Sequence, residues 1–193
     1  MDLAERIFKR SGYVTLDKFG MRFHPTLKVW KMHNGVDKAT VGKTKEEKKW
    51  KQYALEEGFV VSAGTDSTKA IFAWIEYPSR EERILHYHLD KLYVKKGQKV
   101  NENTVIGLTG ETGNTTGIHL HLGVKKKING KWVYVDPETI NYIPQTIKVN
   151  GILDVPTIKE LQKRCGTIVD GIISEPSQLI SEIQRRLISG EPI

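Results

Sequence analysis

His119-Leu120-His121-Leu122-Gly123-Val124-Lys125, followed across Asn129-Gly130 by Lys131-Trp132-Val133-Tyr134-Val135, is the stretch on which the fold turns. Asn-Gly favours a two-residue hairpin because both residues tolerate positive φ, and the apolar residues on either side have strand character. Two antiparallel strands are therefore expected. In the first, alternate side chains share a face, so His119 and His121 point the same way. Gly110, Gly113, Asn114 and Gly117 precede them, which suggests a strand entered from a loop at a cleft.

Working outward, Phe59 to Ala63, Lys69 to Tyr77, Arg83 to Leu89 and Thr104 to Thr109 read as further short β-runs punctuated by Gly64, Pro78 and Gly97. The class is mainly β, an antiparallel sheet domain. Lys43 to Glu57 breaks the pattern: it is crowded with Lys and Glu, and Trp50 and Tyr53 are spaced to share a helical face. It reads as an inserted loop or short helix. After Pro144 the character changes again. Val149-Asn150-Gly151-Ile152 leads to Leu161-Gln162-Lys163-Arg164, and Val169-Asp170-Gly171-Ile172 leads to Ile183-Gln184-Arg185-Arg186. This internal repeat predicts two amphipathic helices, with Ile158 and Leu161 or Ile180 and Ile183 facing a common core. The expected organisation is a β domain over 1–144 and a small helical repeat module over 145–193.

The chain has 193 residues and a formal charge of +7, with 38% hydrophobic and 27% charged residues, an ordinary globular composition. From Gln145 onward bases and acids cancel, so the positive charge lies in the first 144 residues and would draw them toward a polyanion. The aromatic residues are not interleaved with lysines along the chain as stacking platforms, which argues against nucleic acid. No apolar run approaches the roughly 20 residues of a membrane span, so no membrane insertion is expected. Met1 to Arg10 carries acids and bases where a signal peptide needs an apolar stretch. The single cysteine, Cys165, cannot form an internal disulfide and reads as a small core residue rather than a catalytic thiol.

All six histidines fall in three clusters: His24 and His33, His86 and His88, His119 and His121. His33-Asn34-Gly35-Val36-Asp37 adds a carboxylate, with Gly35 allowing a tight backbone path between the two groups. A catalytic zinc takes three protein ligands from His and Asp or Glu and leaves a position open for water. Two histidines and one carboxylate meet that need, and the remaining imidazoles can move protons near neutrality. No Ser, Cys or paired-acid arrangement offers a rival of similar coherence.

At these residues the sequence resembles the lysostaphin and LytM type of zinc metallopeptidase, which cleaves peptidoglycan peptides. Phe19-Gly20-Met21-Arg22-Phe23-His24-Pro25 looks like its opening motif, and His33 to Asp37 like its first metal motif. Tyr87-His88-Leu89-Asp90, with Val94, Gly97, Val100, Ile106, Gly107 and Gly110 beyond, resembles its central histidine strand. Thr112-Gly113 through Gly117-Ile118-His119-Leu120-His121 resembles the closing His-x-His motif. The four parts keep family order across about Lys18 to Val124. The resemblance implies Zn2+ held by His33, Asp37 and His121, with His88 and His119 catalytic; it assigns no role to His86, whose alternate spacing could put it near the site and which reads as a structural residue or a support for the ligands. One departure is that the family has a short apolar connection after its first metal motif, whereas this chain runs through the charged Lys43 to Lys51 segment before Tyr53-Ala54-Leu55-Glu56-Glu57-Gly58 rejoins the pattern.

The tail after Pro144 resembles wall-binding modules that follow the catalytic domains of phage endolysins. The expectation is a peptidoglycan endopeptidase of endolysin type, made in the host cytoplasm and acting on the bacterial cell wall. The alternatives are a bacterial autolysin and a non-catalytic wall binder that keeps its metal for structure.

Overall fold

A computed structural model describes residues 2–23, 28–140, 155–165 and 178–189. The chain divides into two compact units, Met1–Tyr142 and Ile143–Ile193. In the first, an eight-stranded antiparallel sheet is built from β1 (Val14–Asp17), β4 (Val36–Ala39), β12 (Leu120–Ile128), β8 (Glu82–Tyr87), β7 (Ile71–Tyr77), β6 (Gly58–Thr65) and β10 (Lys99–Val100) in that spatial order, with β13 (Lys131–Val135) also paired to β12. A three-stranded sheet joins β5 (Lys51–Tyr53), β11 (Val105–Thr109) and β9 (Leu89–Leu92). The strands β2 (Gly20–Phe23) and β3 (Trp30–His33) make a separate ribbon.

The hairpin expected at Asn129-Gly130 is present. Ile128 pairs with Lys131, so the loop has two residues, and both lie at positive φ, 50° and 76°. β12 then exchanges partners along its length: Leu120 to Leu122 pair with β4, Val124 to Ile128 with β13, and the other edge lies on β8. That swap brings the end of the first metal motif, Val36 and Asp37, against the His-x-His strand.

One face of the large sheet is the core. Leu120, Leu122 and Val124 of β12, Ile84 of β8, and Ala73 and Ile75 of β7 pack there with Leu3, Ile7 and Phe8 of the helix α1 (Leu3–Phe8) and Ile106 of β11. α1 starts with a capping box, Asp2 accepting from the Glu5 amide and Glu5 accepting from the Asp2 amide. That signature went unread in the sequence.

One open alternative is settled in favour of the loop, and one expectation is corrected. Lys43 to Glu57 contains no helix: turns over 43–48 deliver Trp50 into the core, edge-on to Phe8 at 5.3 Å with its indole N–H donating to the Val41 carbonyl, and β5 follows. Burial of Trp50 outweighs the helical spacing. The strand expected from Arg83 to Leu89 breaks at His88, whose φ of 64° ends β8 and sends Leu89 into the smaller sheet as β9.

In the second unit, α2 (Val155–Cys165) and α3 (Gln178–Ser189) form a small cluster of Ile158, Cys165 and Leu179, with Leu161 and Ile183 packed on it. Cys165 is a core residue. Ile180 is not, being 41% exposed, because Leu179 takes the inward position. The Gly-containing turns at 149–152 and 169–172, which carry the repeat, and His24 lie outside the described residues. Among the described residues no helix is long and apolar enough to cross a membrane.

Candidate metal centre

Asp37 and His121 are direct partners across the β4–β12 ladder, and direct antiparallel partners project from the same face. That face is the one opposite the core. His121 places Nδ1 2.8 Å from Asp37 Oδ1, and His33, at the end of β3, brings Nε2 3.0 Å from His121 Nδ1 and 3.2 Å from Asp37 Oδ1. Four-coordinate zinc with bonds of about 2.0–2.1 Å sets neighbouring ligand atoms about 3.3 Å apart. A triangle of two imidazole nitrogens and a carboxylate oxygen, with edges of 2.8–3.2 Å, fits that ion. His33, Asp37 and His121 are the group the structure offers for a metal among the described residues.

The backbone holds the His33 ring in a defined tautomer. His33 Nδ1–H donates to the Lys18 carbonyl at 2.8 Å, which leaves the Nε2 lone pair for the triangle. Gly35 makes the approach possible for a reason the motif alone did not reveal. A Cβ there would lie 2.5 Å from the Leu122 carbonyl oxygen and 2.9 Å from His121 Nε2. Burial pushes the Asp37 carboxyl upward, but hydrogen bonds and charge from His121 and His33 outweigh it and hold the group well below the usual carboxylate range. In His33, burial acts downward and Asp37 prevails, raising the imidazole above its ordinary value.

His88 and His119 stand beside the triangle, their ring centroids 4.8 Å apart, with His88 6.1 Å from His121 and His119 Nε2 3.6 Å from Asp37 Oδ1. Both are buried, and both donate from Nδ1 to a loop carbonyl: His88 to Thr112 at 2.7 Å and His119 to Gly117 at 2.8 Å. With Nδ1–H so committed, the lone pair of each ring, where it has one, is at Nε2. Burial pushes His88 down to about 4, with the Thr112 carbonyl acting against it and the neighbouring His119 and His121 reinforcing it. The five site residues named from the sequence are thus brought together.

His86 is not among them. In a regular strand it would share a face with His88, but the left-handed conformation at His88 breaks the alternation. His86 stays on the core face opposite Leu122, fully buried, its Nδ1 2.8 Å from Gln52 Oε1. Burial pushes it down to about 3, so it is a neutral core histidine. Two neighbours of the site were missed. Tyr87 pairs with His121 across β8 and β12 and sets its ring 4.5 Å from His88 and 5.9 Å from His121. Thr112 anchors the closing loop: its hydroxyl donates to the Leu89 carbonyl at 2.8 Å and accepts from the Ile71 amide at 3.0 Å. Tyr87 lies inside a motif already singled out, and strand pairing was the missing signal.

The sequence profile of peptidase family M23 matches residues 31–137. The chain is 36% identical over 100 residues to the peptidoglycan DD-endopeptidase ShyA of Vibrio cholerae, covering 52% of this chain and 22% of that protein. It is 32% identical over 113 residues to the DD-carboxypeptidase/endopeptidase Mpg of Neisseria meningitidis, covering 58% and 24%. The match thus spans less than a quarter of either relative's length. Among solved structures, a zinc-containing peptidase from Vibrio cholerae superposes with a TM-score of 0.54 at 30% identity, over 67% of this chain and 37% of the other. The catalytic domain of lysostaphin from Staphylococcus simulans gives 0.50 at 26% identity, over 65% and 89%.

Proposed function

Because the chain belongs to peptidase family M23, we propose that it is a zinc-dependent endopeptidase hydrolysing peptide bonds in bacterial peptidoglycan. The observation that carries this reading is the triangle of His33, Asp37 and His121 with two further imidazoles at its side. The similarity to ShyA, a peptidoglycan DD-endopeptidase, and to Mpg, a DD-carboxypeptidase/endopeptidase, supports the substrate.

When bound, zinc supplies Lewis acidity, polarising a peptide carbonyl and lowering the pKa of a water toward about 7. The chain's own residues handle the proton. His119 is assigned as general base, since its Nε2 faces the triangle and its Nδ1–H is committed to Gly117. Its proton is later available to the leaving amine. His88 is assigned to the developing oxyanion. Its Nδ1–H is committed to the Thr112 carbonyl, so donation from Nε2 requires the imidazolium, with the second proton taken up from solvent as the oxyanion's negative charge develops.

The narrower reading assigns 1–144 as the metalloendopeptidase domain and 145–193 as a cell-wall-binding module of an endolysin that reaches the wall from the host cytoplasm. The repeated Val-x-Gly-Ile turns support it. Its test compares wall sedimentation of the whole chain and of a chain ending at Pro144, and equal sedimentation would remove the module.

Purified sacculi digested with the protein should release new amino termini identifiable by mass spectrometry. A chelator should stop that release, and added zinc should restore it. His119→Ala should keep zinc and lose cleavage; unchanged cleavage would defeat the catalytic assignment. Zinc binding and wall binding with no cleavage by the wild type would favour a wall binder with a structural metal.

A further inference from the structure

The site face of the large sheet does not end at the metal triangle. Stepping two residues at a time along β12 from His121 leads to Gly123, Lys125 and Lys127, all on that face. Their direct partners extend the face sideways: Tyr87, Leu85 and Arg83 on β8, and Tyr134 and Trp132 on β13. Trp74 lies opposite Leu85 on β7.

The aromatic groups of this face form two pairs along the strip. Phe72 and Tyr87 have centroids 6.3 Å apart beside the metal site, and Trp74 and Tyr134 are 6.1 Å apart farther along. Cations are threaded between the rings. Lys125 Nζ lies 5.0 Å from the Trp74 centroid and 4.5 Å from that of Tyr134, and the Arg83 guanidinium lies 4.2 Å from that of Trp132. Arg83 is paired with Glu76 at 2.6 Å. Among the described residues no carboxylate pairs with Lys125. The interleaving of aromatic and basic residues, absent along the chain, is made across strands.

From His121 to Lys127 the strip runs about 20 Å at the usual strand rise, far longer than the peptide bond to be cut. A polymer lying across the triangle passes Tyr87 and continues over the strip. Sugar rings offer apolar C–H faces to Trp74, Tyr134 and Trp132, and carboxylates offer a partner to Lys125. Resting on the substrate reading above, we propose that this strip is an extended subsite for the saccharide–peptide strand flanking the scissile bond, selecting polymeric wall over short peptides.

The experiment uses the zinc-loaded full chain and two substrates: insoluble sacculi, and a short soluble stem peptide too small to span the strip. Trp74→Ala and Lys125→Glu should each lower the ratio of kcat/KM on sacculi to that on the peptide by roughly tenfold, through KM. In a His119→Ala background the same changes should weaken pelleting with sacculi, and Lys125→Glu should also flatten its salt dependence. Thermal unfolding checks that each variant folds. If Trp74→Ala does not, Trp132→Ala and Lys125→Glu carry the test. An unchanged ratio in folded variants overturns the proposal, whether both activities stay or fall together. So does loss of single-stranded oligonucleotide binding while sacculus pelleting persists. If the zinc-loaded wild type cuts neither substrate, the peptidase reading fails separately, and pelleting alone decides the strip.

Discussion

Gly35→Ala tests the metal centre through a contact rather than a ligand. The added methyl would sit 2.5 Å from the Leu122 carbonyl oxygen and 2.9 Å from His121 Cε1 and Nε2, so β12 or the His121 ring must retreat by several tenths of an ångström. Leu122 is held by its pairing with Val36 and His86, which directs the strain into the His121 ring. Overpacking of this kind costs about 1–3 kcal/mol. A ligand nitrogen moved by about 0.5 Å also leaves the roughly 0.2 Å tolerance of a zinc bond. We expect zinc affinity to fall by about ten- to a hundredfold, read by competition against a chromogenic chelator, alongside a lower unfolding temperature. Gly117→Ala is the control: an added methyl there meets nothing within 4 Å and leaves the carbonyl that orients His119 in place. Wild-type zinc affinity in a stably folded Gly35→Ala protein would refute the packing argument, as would an equal loss in Gly117→Ala.

Further outcomes follow from single groups. Asp37→Asn keeps the shape of the side chain but removes the charge facing His33 and His121; zinc affinity should fall by roughly a hundredfold or more, measured by the same competition. Tyr77→Phe removes the hydroxyl that accepts from the buried Leu55 amide at 3.0 Å. It should destabilise the fold by about 1–3 kcal/mol in denaturant titration, with zinc affinity unchanged. His86 gains its proton near pH 3 in the folded chain and at its ordinary value of 6.5 when unfolded. Its contribution to stability is therefore full above pH 6.5 and is lost progressively as pH falls toward 3, at about 1.4 kcal/mol per pH unit. His86→Leu should flatten the fall of stability between those limits, and an unchanged slope would place the acid sensitivity elsewhere.

The site was legible where the sequence carries the geometry locally. His33 and Asp37 are linked by a short segment, and His119 and His121 alternate about one residue, so each pair is oriented by a single stretch of backbone. His86 and His88 show the same alternation, which left His86 either structural or near the site; a positive φ at His88 turns that ring to the metal side and keeps His86 in the core. Trp50 lies in the segment read as an inserted loop or a short helix, and the loop is what forms. Its spacing suggested a helix, while the available partner was Phe8, forty-two positions earlier in the chain.

The sequence by itself determined the antiparallel β class and the Asn129-Gly130 hairpin and singled out the five residues of the candidate site, because strand period, turn chemistry and motif order are all written within a few residues of one another. Tertiary structure decided what those residues do together. Only the exchange of β12 between β4 and β13 sets Asp37 opposite His121, only the close pass of Gly35 over Leu122 lets the loop after His33 sit there, and only cross-strand pairing threads Lys125 between Trp74 and Tyr134. Contacts between residues far apart in the chain depend on which strands become neighbours, and that is settled by burial of the whole core rather than by any one segment.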